Sequence, residues 1–177
     1  MEENMKKLEE LTEKELKEEF IKHFGEDRWN QMEVLPILQE KADILCSYLG
    51  IEEIPILCDP IKEDSRYYPK EKYIIISDKV IMNEVEALKS LIHEVRHHYQ
   101  YTCVSTNNQT EPMLEQWYQE LEIYNTLAPD VQLCTFLEID AYAFTKVIMK
   151  AWFNKDIIHY DDEYEEALNL YIKKYLS

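Results

Sequence analysis

The chain has 177 residues and a formal net charge of −17, from 36 acidic against 19 basic side chains. Such a field repels phosphate backbones and anionic headgroups, so nucleic acid and membranes are excluded as partners, whereas a metal ion or a cationic ligand suits it. The length allows one domain with a sizeable core, and no stretch approaches the ~20 apolar residues of a membrane span. The start MEENMKKLEE lacks the apolar run of a secretory signal, which implies a cytoplasmic protein. Cys46, Cys58, Cys103 and Cys134 show no C-x-x-C pairing and read as reduced core residues, with Cys103 and Cys134 placed for a cleft wall.

In chain order, Thr12 with Glu15 forms a capping box for a first helix that stops at Gly25. A second helix, capped by Asp27, stops at Gly50, with Pro36 expected to kink or divide it. Two short apolar runs, Ile54 to Cys58 and Tyr73 to Ser77, predict strands separated by a polar loop. Asn83 and Glu86 then form a cap-like pair, and Leu88, Ile92, Val95 and Tyr99 recur at helical spacing. The run VSTNNQ reads as a loop, and Thr110 with Pro112 opens a helix to about Tyr124. After LAPD, a helix from about Gln132 to Phe153 is expected, followed by a last one capped by Asp161 or Asp162.

The helix after Asn83 carries SLIHEVRHHYQYT, with three of the five histidines. At about 100° per residue, His93 and His97 fall on one face, where two imidazoles one turn apart can bind one zinc ion. Glu94 is offset from the metal but within reach of a water beside it, as in the arrangement H-E-x-x-H. His98 points about 100° away from His97, and Arg96 faces elsewhere and pairs with an acid. A catalytic zinc takes three protein ligands, so a third is expected among Glu115, Glu120, Glu122, Glu138, Asp140, His98 and His159. Glu138 borders a core stripe of Leu137, Ala141, Phe144 and Ile148, whereas the acids of EQWYQELE read as solvated charges.

HEVRHHYQ, followed some forty residues later by EIDAYAF, resembles the minimal zincins of gluzincin type, broadly the thermolysin-like and ImmA/IrrE-like metallopeptidases. The resemblance covers roughly residues 54–152 and implies His93, His97 and Glu138 as zinc ligands and Glu94 as general base. The family often places Asp or Asn four residues after the glutamate ligand, to support a ligand histidine; here stands Tyr142. Asp140 is an alternative support, although two helical residues put it on nearly the opposite face from Glu138. Tyr142, Tyr99 and Tyr101 are candidate donors to an oxyanion.

The expectation is an α+β, mainly α minimal zincin, with a small sheet packed on the H-E-x-x-H helix and a second, ligand-bearing helix. Residues 1–50 form an N-terminal helical scaffold, 51–153 the zincin core and 154–177 a C-terminal helix of one metallopeptidase-like domain. The implied function is zinc-dependent hydrolysis of a peptide bond in a protein or peptide substrate, added as a strand beside YIIIS; ImmA-like relatives cut regulatory proteins, which implies such a substrate here. Two other readings fit the same residues: an inactive zincin fold serving as a binding or regulatory module, and an acidic helical interaction protein in which HEVRH is incidental.

Overall fold

A computed structural model describes residues 25–59, 64–157 and 162–176, with Lys14, Lys17, Glu18, Ile21 and Lys22 ahead of them. The expected capping box Thr12/Glu15, His159 and Asp161 lie outside the described residues. Helices dominate: α1 (Glu26–Leu49), α2 (Asp78–Ile81), α3 (Glu84–Thr106), α4 (Leu114–Ile123), α5 (Pro129–Gln132), α6 (Phe136–Phe153) and α7 (Asp162–Tyr171). The strands are β1 (Ile56–Asp59), β2 (Arg66–Tyr68) and β3 (Tyr73–Ser77), so the chain is α+β and mainly α. No described helix is long and apolar enough to cross a membrane.

Both glycines sit in the left-handed half of backbone space, φ 89 at Gly25 and 67 at Gly50, where a side chain is strained. Gly25 donates to the Ile21 carbonyl at 2.8 Å, closing the turn before it. It is also the N-cap of α1, so that helix starts one residue before the expected cap Asp27. Pro36 lacks one backbone donor, yet α1 runs undivided through it. Leu38, Ala42, Leu45 and Cys46 are buried along one face of α1, and this packing outweighs the missing bond.

The sheet order is β1-β3-β2, with β3 central. Ile74 of β3 lies opposite Ile56 in the parallel pair and opposite Tyr67 in the antiparallel one. Strand β2 falls in the stretch expected to be a polar loop. Its three residues are too few to show alternation, and the turn back to β3 is made by Lys72 at φ 55. Because β3 is paired on both sides, it has no edge for a substrate strand, contrary to the expectation for YIIIS; the open edge next to it belongs to β2.

Helix α3 starts as expected, with Asn83 Oδ1 accepting from the Val85 and Glu86 N–H groups at 3.1 and 3.2 Å. It continues through Val104, Ser105 and Thr106, residues expected in a loop, and stops at Asn107, φ 52. The helix expected from Thr110 begins only at Leu114, and α6 begins at Phe136 instead of Gln132 because extended Thr135 caps it. LAPD does not simply break the chain, since Pro129–Gln132 winds one helical turn.

A second cap on α6 comes from far along the chain. Glu120 of α4, expected to be solvated, is buried; its two carboxylate oxygens accept from the N–H groups of Phe136 and Leu137 at 3.0 and 2.9 Å. A carboxylate there satisfies two orphan donors and sits at the positive end of the helix dipole.

Helix α3 lies between two apolar clusters and packs most extensively on α6. One cluster joins α3 to α1 and the sheet through Leu91, Ile92, Ile74 and Leu45. The other joins α4, α6 and α7 around the fully buried Trp117, with Cys103, Leu137 and Leu168. The expected stripe Leu137, Ala141, Phe144 and Ile148 is buried throughout. The four cysteines form no disulfide; Cys46 and Cys103 are buried and Cys58 is half-buried against the core, but Cys134 is exposed and is not a core residue.

Candidate metal centre

Burial of both flanks of α3 fixes the rotation of the helix, and with it the direction of His93 and His97. Their Nε2 atoms stand 3.0 Å apart, with the rings nearly perpendicular at 86°. Glu138, in the capped first turn of α6, brings Oε2 to 3.2 Å from His93 Nε2 and Oε1 to 3.4 Å from His97 Nε2. The donor atoms of all three residues lie within 4.8 Å of one another, a group that could hold a metal ion. Tetrahedral coordination with bonds of about 2.05 Å puts neighbouring ligand atoms about 3.3 Å apart, and each Nε2 stands near that spacing from the other and from the Glu138 oxygen that faces it. Two imidazole nitrogens facing each other this closely also need a proton or a cation between them.

The charges agree with the geometry. Burial alone would raise the Glu138 pKa, but His97 and His93 hold its carboxyl well below the usual range. Burial alone would lower that of His97, but Glu138 and then Glu94 carry it up to about 9. The site is therefore a well for positive charge.

Glu94 is buried, and this burial raises its pKa against the opposing pull of His93 and His97. Its Oε2 accepts from the Tyr67 N–H at 2.7 Å. That N–H points away from β3, since Ile74 opposite gives its own N–H to Pro55 on the β1 side at 2.9 Å. The open edge of β2 thus faces the centre, and a cleft of about 930 Å³ lined by β2, α3 and the start of α6 opens over it. A tyrosine not foreseen from the sequence completes the group: the Tyr124 hydroxyl donates to Glu138 Oε1. It lies just past α4, and among 13 tyrosines no spacing marks it.

Of the other candidates, Glu115 and Glu122 are exposed, and Glu120 is occupied as the cap of α6. His98 gives its Nε2–H to the Glu52 carbonyl at 3.0 Å, so its Nδ1 accepts from the Tyr67 hydroxyl at 3.2 Å, and burial lowers its pKa. It ties α3 to the sheet and does not join the metal group. Asp140 is fully buried and takes a two-pronged ion pair from Arg96 at 2.7 and 2.9 Å. Tyr99 donates to Glu111 at 2.9 Å, whereas Tyr101 lines the cleft.

Tyr142 does reach the site, with its ring centroid 4.4 Å from that of His93. It does not hydrogen-bond His93 Nδ1, which is buried with no hydrogen-bond partner among the described residues. Neither Cys103 nor Cys134 is among the residues lining the cleft. No protein-family model, no curated protein and no solved structure matches this chain, so its function rests on the chemistry of the site itself.

Proposed function

We propose that the chain is a zinc-dependent metallopeptidase that hydrolyses a peptide bond in a protein substrate, with His93, His97 and Glu138 as ligands and Glu94 as general base. One observation carries the reading: two imidazole Nε2 atoms 3.0 Å apart each face an oxygen of the Glu138 carboxylate, within the reach of a single ion, and a buried carboxylate, Glu94, stands beside them. When bound, zinc supplies a Lewis acid for the scissile carbonyl and lowers the pKa of water beside it. Glu94 takes the proton of the attacking water and delivers it to the leaving amine nitrogen. The Tyr67 N–H holds Glu94 Oε2, leaving Oε1 for that transfer. The substrate lies extended along the open edge of β2, where the outward Tyr67 carbonyl can accept from a substrate N–H.

The second reading, a zinc-binding protein of the same fold without catalysis, is favoured by the unpartnered His93 Nδ1. Zinc-loaded protein incubated with a peptide library separates the two. Metal-dependent cleavage that falls about 10² to 10⁴-fold in Glu94→Gln, with zinc retained, supports the peptidase; bound zinc with no cleavage leaves the binding protein.

A further inference from the structure

The two histidines are supported unequally. His93 Nδ1 has no partner among the described residues, whereas His97 Nδ1 meets the side-chain oxygen of Gln100 at 2.8 Å. Gln100 is fully buried, and its amide nitrogen donates to the Leu137 carbonyl at 2.9 Å and to Asp140 Oδ2 at 2.7 Å. Both of those partners only accept. The Arg96 guanidinium donates to both oxygens of Asp140, is itself packed over the rings of Tyr99 and Phe144 at 4.5 and 4.8 Å, and cannot lose its proton. The Tyr171 side chain of α7 interacts with the same carboxylate.

These contacts force one another. With the amide reversed, the Gln100 oxygen would face a carbonyl and a carboxylate in a dry interior, three acceptors with no proton among them. The amide is therefore fixed with its oxygen toward His97, and an oxygen can only accept. His97 must carry a proton on Nδ1, so Nε2, which faces Glu138 and His93, is the nitrogen open to a metal.

We infer that Gln100 is a positioning residue that fixes the tautomer and ring direction of His97, and that the buried Arg96–Asp140 pair acts through it. The acid that supports a ligand histidine in the resembled family, missing at Tyr142, thus has a counterpart two residues earlier in Asp140, which acts on His97 through an amide. The inference rests on the metallopeptidase reading only for what the freed Nε2 serves; the orientation itself belongs to the zinc-free protein too.

The test is nitrogen–proton correlation spectroscopy of the histidine rings, with and without zinc, together with the zinc dissociation constant. Wild type should show a slowly exchanging His97 Nδ1 proton in both states. In Gln100→Met, close in shape but with no acceptor of that strength, this proton should exchange away and zinc affinity should fall about 10 to 100-fold, the usual effect of losing such a partner. His93 signals should keep their shifts in the same sample, which separates lost orientation from lost fold. Asp140→Asn, which lets the Gln100 amide reverse, should act in the same direction. An unchanged His97 Nδ1 proton in Gln100→Met, with zinc affinity within about threefold of wild type, would overturn the inference, as would His97 binding zinc through Nδ1. Failure of wild type to bind zinc would sink the peptidase reading alone, because the zinc-free spectrum still decides the role of Gln100.

Discussion

His93 and Tyr142 stand ring against ring, 4.4 Å between centroids, yet no hydrogen bond from the described residues reaches His93 Nδ1. Toward His93, Tyr142 is thus a wall and not a partner of Nδ1. Tyr142→Phe should leave zinc affinity within about threefold of wild type, where a true hydrogen-bonding partner costs 10 to 100-fold; competition with a chromophoric chelator measures it. Side-chain chemistry was legible where spacing enforces it. The i, i+4 histidines and the neighbouring glutamate need only the helical period, whereas Glu138 was singled out from seven candidates by its place beside an apolar stripe together with the resemblance of EIDAYAF to a zincin ligand helix. Tyr124, Gln100 and Arg96 were illegible in detail because their roles are set across elements: Arg96 finds Asp140 some forty residues away, and nothing local distinguishes that acid from the others.

Among the elements, α6 shows how distant packing decides a local matter. Its start at Phe136 and the placement of Glu138 depend on Glu120, an α4 side chain that the sequence presents as one more charge in an acidic run. Glu120→Ala would leave the Phe136 and Leu137 N–H groups without their carboxylate, and an unsatisfied buried donor costs about 1–3 kcal/mol. Urea unfolding should register that loss, and the same variant should weaken zinc binding because Glu138 sits in the frayed turn. A Glu120→Ala protein as stable as wild type would remove the cap from the account. Helices with strong caps and stripes, α3 above all, were readable to within a few residues. Strand β2 was not, since three residues carry no period and its pairing with β3 is a tertiary fact.

At the scale of the molecule, α3 is held between two apolar clusters, and the metal group lies where α3, α6 and β2 meet. Ligands on two helices make zinc binding a clamp between elements, so binding and folding are linked. Zinc at 100 times its dissociation constant should add about 2.7 kcal/mol to unfolding stability, and removal by a chelator should take it away. Calorimetry of the zinc-loaded and chelator-treated protein measures this, and identical melting in both states would contradict a site that clamps α3 to α6.

The central claim is that His93, His97 and Glu138 together hold one zinc ion, and elemental analysis of the purified protein tests it most directly. The account predicts about one zinc per chain in wild type and in Glu94→Gln, and a sharp fall in His93→Ala, His97→Ala and Glu138→Ala. Zinc content unchanged by those three substitutions, or a folded wild-type protein that takes up no zinc, would contradict it.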